Sequence, residues 1–101
     1  MRRFRFRAWR KFRKLRQYEL ADAAGMSTPN YSRIETGAQP FTRDNLLALA
    51  AALKCEPCDL ICDFEPGSPE HELVADLRAM PPPDRARIIR LLRAIMDSQA
   101  A

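Results

Sequence analysis

The sequence predicts an all-α fold, and three observations carry that reading. Ala, Leu and Arg dominate the 101 residues, whereas glycine and β-branched residues are few, a composition that favours helix. The stretch from Gln17 to Gly37 divides at Gly25 into two short helices, with Leu20, Ala21 and Ala24 on one inner face and Tyr31 and Ile34 on the other. Four further segments place apolar residues at helical spacing. One small core is expected at this length, small enough for a dimer interface to matter to its stability.

The first helix is expected over about residues 4–14, where Phe4, Ala8, Phe12 and Leu15 recur at helical spacing with Trp9 beside them. The second should run over about 17–24. Arg16 occupies its N-cap position and cannot accept a hydrogen bond, a loss of about 1 kcal/mol unless another group caps the helix. Small residues at Ala21 and Ala24 allow close helix approach, and Gly25 supplies the positive φ that ends this helix. Ser27 is a natural N-cap for the third helix, about 28–35.

Residues 37–41 form a loop. Thr42 then caps a fourth helix from Arg43 to about Lys54, with Leu46, Leu47, Leu49, Ala50 and Leu53 as its apolar face. Pro57 opens a short fifth helix to about Cys62. After a break at residues 65–68, Ser68 and Pro69 start a sixth, with Glu70 and Glu72 suited to the positive helix start. Leu73, Val74, Leu77 and Met80 make one stripe. Pro81, Pro82 and Pro83 stop it, and a last helix is expected from Asp84 to about Ser98. Its Ile88, Ile89, Leu91, Leu92, Ile95 and Met96 span roughly 160° of the helix circumference. Such a stripe needs a partner, either the globular core or a second subunit.

Two helices joined by a short turn with glycine form the helix-turn-helix of DNA-binding proteins. From Trp9 to Ile61 the sequence resembles the lambda-repressor/Cro (Xre-type) helix-turn-helix domain. The matching marks are Leu15-Arg-Gln17, Glu19-Leu-Ala21, Ala24-Gly-Met-Ser27, Ser32-Arg-Ile-Glu35, Gly37, Leu46 to Leu53, and Leu60. The resemblance implies a five-helix lambda-repressor-like DNA-binding domain over residues 1–63, with the Arg-rich first helix included. Residues 64–101 are then a C-terminal helical hairpin, expected to serve dimerisation or partner binding.

Charge is distributed unevenly. Residues 1–16 hold nine basic side chains and no acid, while the rest sets eight basic residues against all thirteen acids, a net −5. A basic block beside a helix-turn-helix draws the domain onto phosphates, with Arg10 and Arg13 as candidates; a solvated charged face or a membrane-surface segment is the bland alternative. No run is long enough to span a membrane, and the Arg-rich start lacks the apolar stretch of a signal peptide, so a cytoplasmic location is expected.

In this geometry the start of the third helix enters the major groove. Thr28, Pro29, Asn30, Ser32 and Arg33 are the base-contact candidates, and the resemblance assigns that role most directly to positions 28, 29 and 33. Arg33 can donate two hydrogen bonds to guanine O6 and N7; its alternative is an ion pair with Glu35 or a neighbouring carboxylate. Pro29 offers only shape. Gln17 at the start of the second helix suits a phosphate or local capping. Gln39, Thr42 and Arg43 are further phosphate candidates. Glu35 is expected to be structural, accepting hydrogen bonds from the loop or from a basic partner on another helix.

Cys55, Cys58 and Cys62 form C-x2-C-x3-C. Three such thiols suit a metal, an iron–sulfur cluster or oxidant sensing, or are simply small hydrophobes. A structural zinc site wants a fourth ligand, from Asp63, His71 or another subunit. The expectation is no metal and no cofactor. No glycine-rich phosphate loop or nucleophile motif is present, and a single histidine makes no catalytic constellation, so an enzyme is not expected.

The function expected is a sequence-specific transcriptional regulator, a repressor, that binds double-stranded DNA at a palindromic operator as a homodimer. Ile88, Ile89, Leu92, Ile95 and Met96 are its expected interface. The alternative is an antitoxin that represses its own operon and grips a toxin protein through the same C-terminal helices.

Overall fold

The computed structural model describes residues 4–100, and among them every regular element is a helix. These are α1 (Phe6–Phe12), α2 (Gln17–Ala23), α3 (Thr28–Thr36), α4 (Arg43–Leu53), α5 (Pro57–Ile61), α6 (Pro69–Ala79) and α7 (Pro82–Ala100). They fall into two compact units, Met1–Ser68 and Pro69–Ala101.

The first unit closes around Phe6, Trp9, Leu20, Ala21, Tyr31, Ile34, Leu49, Ala50, Leu53 and Leu60. The buried face of α1 is Phe6 and Trp9, three apart on one side of the helix. The expected stripe on Phe4 and Phe12 is displaced, and both rings are about half exposed. The reason lies at the helix start. Phe4 precedes α1, and its ring meets Phe41 edge-on at a centroid separation of 4.8 Å. Phe6 meets the same ring at 5.1 Å, so three aromatics fasten the N-terminal segment to the loop before α4. The Arg5 N–H donates to the Leu60 carbonyl at 2.7 Å and ties that segment to α5.

Helix ends follow local chemistry. The missing cap at Arg16 is half replaced: the Glu19 carboxylate accepts the Arg16 N–H at 2.9 Å. Gly25 has φ 73°, with its N–H on the Asp22 carbonyl and the Met26 N–H on the Ala21 carbonyl. That pair of bonds is the Schellman arrangement. Ser27 Oγ accepts the Asn30 N–H, and Thr42 and Asn45 cap each other reciprocally, both bonds 3.0 Å. In α4, Leu49, Ala50 and Leu53 are buried, but Leu47 points out. Asp59 accepts the Glu56 N–H at 2.9 Å and so starts α5.

The second unit is a pair of helices. α7 begins at Pro82 rather than Asp84, because proline fits the first helical turn, where no N–H is needed. The Pro81 carbonyl accepts the Arg85 N–H at 3.0 Å and opens the helix. Val74, Leu77, Met80 and Ile88 are half-buried, Leu73 is exposed, and no described residue of this unit is fully buried. Among the described residues no helix is long and apolar enough to cross a membrane.

Two further helix ends put lysine where glycine is usual. Lys14 (φ 58°) ends α1 and Lys54 (φ 56°) ends α4, each within the same two-bond pattern. A left-handed residue with a Cβ costs about 1–2 kcal/mol, and glycine returns part of the gain as unfolded-chain entropy. Lys14→Gly and Lys54→Gly should therefore each stabilise the protein by about 0.5–1 kcal/mol, read as a higher urea midpoint at unchanged slope. Midpoints that fall would count against strain at these positions.

Candidate nucleic-acid interface

The surface centred on α3 is built by two local constraints. Tyr31 and Ile34 turn one side of the helix into the core, which leaves Thr28, Pro29, Asn30, Ser32 and Arg33 on the other; Pro29 and Arg33 are exposed, the rest half-buried. Gly37, at φ 83°, then ends α3 and turns the chain back on itself. That turn brings Gln39 alongside the helix. Arg33 Nε donates to Gln39 Oε1 at 2.8 Å, and Gln39 Nε2 donates to Asn30 Oδ1. Arg33 is thus joined to Gln39 rather than to a carboxylate. Thr42 and Arg43 are exposed at the start of α4, with the Thr42 hydroxyl accepting the Asn45 N–H.

Behind α3 lies a buried charge. The Glu35 side chain is only 4% exposed and pairs with Arg10 at 2.8 Å, itself 14% exposed. Gln17 Nε2 donates to the other carboxylate oxygen, and Tyr31 Oη donates to Oε1 at 3.2 Å. Arg10 Nη1 also donates to the Leu15 carbonyl at 3.0 Å. Burial opposes ionisation of Glu35, but the hydrogen bonds from Arg10 and Gln17 and the charge of Arg10 outweigh it and hold the carboxyl below its ordinary value. The Tyr31 phenol is pushed up by burial and by the neighbouring Glu35 charge.

Two of the arginines expected at phosphates also make bonds within the first unit. Arg10 is drawn inside by Glu35, its guanidinium engaged by that carboxylate and by the Leu15 carbonyl. Arg13 caps α4: Nε donates to the Leu53 carbonyl at 2.7 Å and Nη2 to the Lys54 carbonyl at 3.0 Å, with the guanidinium 5.2 Å from the centres of the Trp9 and Phe12 rings. A cation at the negative end of a helix is favourable. Gln17 has one amide N–H engaged by Glu35, so it stands beside α3 as part of this cluster. The link from Gln39 to Asn30 and Arg33 was not read from the sequence; the turn at Gly37 was its only available signal.

Elsewhere, Ile89, Leu92, Ile95 and Met96 of α7 are exposed, the last two by 55% and 65%, and Ile88 is half-buried. Cys55, Cys58 and Cys62 are thiols; burial and the nearby Asp59 charge push Cys55 up to about 12. Cys62 Sγ donates to the Asp59 carbonyl at 3.5 Å. Among the described residues, no group of three or more His, Cys, Asp or Glu is placed to hold a metal ion.

The helix-turn-helix family matches residues 6–60. No curated protein matches the chain. Solved structures do. The restriction-modification controller protein C.AhdI from Aeromonas hydrophila is 34% identical, with a TM-score of 0.55 over 55% of this chain and 85% of its own. The P22 c2 repressor in complex with synthetic operator 9T is 38% identical, with a TM-score of 0.55, covering 59% of this chain and 91% of its own. The solution structure of that repressor's DNA-binding domain is 35% identical, with a TM-score of 0.54, covering 60% and 86%.

The Arg10–Glu35 pair sets a test of the scaffold under this surface. Arg10→Met leaves Glu35 buried without its cation and should cost about 3–5 kcal/mol, whereas Arg10→Met with Glu35→Met should recover most of that loss. Because the folded Glu35 carboxyl lies below its unfolded value near 4.5, its contribution is complete above that pH and is lost as pH falls through the folded value. Urea midpoints measured from pH 7 to pH 3 should therefore fall less steeply in the double variant. Equal acid slopes in both proteins would exclude Glu35 as a source of acid sensitivity.

Proposed function

The chain belongs to the lambda-repressor-like helix-turn-helix family, and from that premise we propose that it is a DNA-binding transcriptional regulator of repressor type that reads a palindromic operator as a homodimer. One observation carries the reading. α3 buries Tyr31 and Ile34 and presents Thr28, Pro29, Asn30, Ser32 and Arg33 together on its outer side, the display needed by a helix entering the major groove. Arg33 pairs with guanine through its terminal nitrogens, and Thr28 meets a thymine methyl or a phosphate. Ser32 and Asn30 reach base edges or backbone oxygens, and Pro29 contributes shape. The starts of α2 and α4, with Gln17, Thr42 and Arg43, sit against phosphates. Such a protein works in the cytoplasm, where its DNA is.

Dimerisation is assigned to α7, whose Ile89, Leu92, Ile95 and Met96 face solvent, with Ile88 beside them. Half-sites about one helical turn apart follow from two domains docking on one face of the duplex. Bound operator excludes polymerase. The solved relatives are a repressor and a controller protein, which favours this reading over a toxin-binding antitoxin.

Selection from a random duplex library tests the base-reading role. Wild type should enrich an inverted repeat, and Arg33→Ala should lose about 1–3 kcal/mol of discrimination at one position of each half-site. Enrichment without any shared sequence would reduce the DNA contact to charge alone. Sedimentation tests the interface: Leu92→Glu with Ile95→Glu should convert a dimer to a monomer while the first unit keeps its urea midpoint. A Leu92→Glu, Ile95→Glu variant that fills a two-half-site operator as cooperatively as wild type would remove α7 as the dimer contact.

A further inference from the structure

Gln39 joins two side chains of the reading surface, and the chemistry of Arg33 fixes the direction of every bond in that chain. A guanidinium only donates. Gln39 must therefore turn its oxygen to Arg33 Nε, at 2.8 Å. Its NH2 is left for Asn30, which must answer with Oδ1. Arg33 keeps its two terminal nitrogens for other partners, and Asn30 keeps its NH2. A bidentate asparagine–adenine contact needs that oxygen and NH2 aimed together at the base, and the bond to Gln39 has already turned the oxygen aside.

We propose that Gln39 is a specificity-determining positioning residue, which makes Arg33 and Asn30 a surface of hydrogen-bond donors matched to acceptor edges, guanine opposite Arg33 and an acceptor-bearing base opposite Asn30. This deepens the base-reading role and rests on it. It also replaces the phosphate contact expected of Gln39. Guanine presents N7 and O6 in the major groove, and thymine presents O4; adenine presents N7 beside an amine, and cytosine only an amine. The operator half-site is therefore guanine opposite Arg33 and, opposite Asn30, guanine or thymine in preference to adenine, whose amine would be left without an acceptor, and to cytosine, which offers no acceptor. Gln39 sets this choice without touching a base, because its two ends determine which atoms of its neighbours remain free.

The test uses the full chain and three proteins, wild type, Gln39→Ala and Gln39→Glu, in the same library selection. Arg33→Ala and Asn30→Ala locate the two base positions. A glutamate at position 39 still accepts from Arg33 but can only accept from Asn30, so Asn30 must turn its NH2 inward and its oxygen outward. Gln39→Glu should keep guanine opposite Arg33 and move the preference opposite Asn30 toward adenine or cytosine, by at least about fivefold in the ratio of bases. Gln39→Ala should relax both positions. Loss of affinity by one factor on every sequence, with a shallower salt dependence, would make Gln39 a phosphate contact and overturn the proposal. A second readout needs no DNA. The Arg33 Nε–H signal in NMR spectra of the free protein should exchange with water faster in Gln39→Ala than in wild type, and unchanged exchange would overturn the bridge. A wild type that enriches no sequence overturns the base-reading role itself, and with it the specificity claim, while the Arg33 signal reports separately on the bridge.

Discussion

The carboxylate of Glu35 is the constraint on which the first unit depends. It sits on α3 and collects Arg10 from α1, Gln17 from α2 and Tyr31 one turn earlier on its own helix. Apolar burial brings these helices together, but it is non-directional and would tolerate rotation about each axis. Hydrogen bonds to two carboxylate oxygens do not. Replacing a buried ion pair by well-packed hydrophobes is often neutral in stability. What the cluster contributes is therefore orientation. It fixes how α3 is turned relative to α1 and α2, and hence which side of α3 is displayed. Arg10 extends the same control to the linker by holding the Leu15 carbonyl.

The displayed side is then held from the front as well. The turn at Gly37 returns Gln39 to α3, where it ties Arg33 to Asn30. Long polar side chains lose about 1 kcal/mol or more of rotamer entropy when they are fixed on binding. Side chains already held in the free protein lose less. The same restraint that lowers this cost narrows the choice of base, because a donor presented in one direction cannot rotate to become an acceptor. On the base-reading role proposed for α3, affinity and selectivity are then linked through a single loop residue.

The helix-turn-helix was legible because its boundaries are set by near neighbours in the chain. Gly25, Ser27 and Gly37 act within four residues of where they stand, and the inward faces at Leu20, Ala21, Tyr31 and Ile34 follow from helical period once the ends are known. The first helix was harder. Aromatic residues at 4, 6, 9 and 12 support two stripes, and only the position of the helix start, which Arg5 does not signal, decides between them. Arg10 was one of nine basic residues with nothing local to mark it as the partner of an acid twenty-five positions away. The Pro81–Pro83 run read as a terminator, yet proline suits a first turn as well as it ends a last one. In α4, Leu47 belonged to a broad apolar face on paper, and only packing could show that it points outward.

The two units differ in how much apolar surface they bury. The first has a core; in the second no described residue is fully buried. Full burial of an aliphatic side chain is worth about 1.5–3 kcal/mol, and the α7 side chains named for the interface are already partly covered. Pairing two copies through them would then return on the order of 10 kcal/mol in total, against an association cost of roughly 4–15 kcal/mol. The proposed dimer is therefore marginal by construction. A marginal dimer on a two-fold operator couples assembly to binding: each protomer held on its half-site raises the effective concentration of the other. Occupancy then rises more steeply with protein concentration than a preformed dimer would allow, and that steepness is set by the exposed apolar side of α7 rather than by the reading helix.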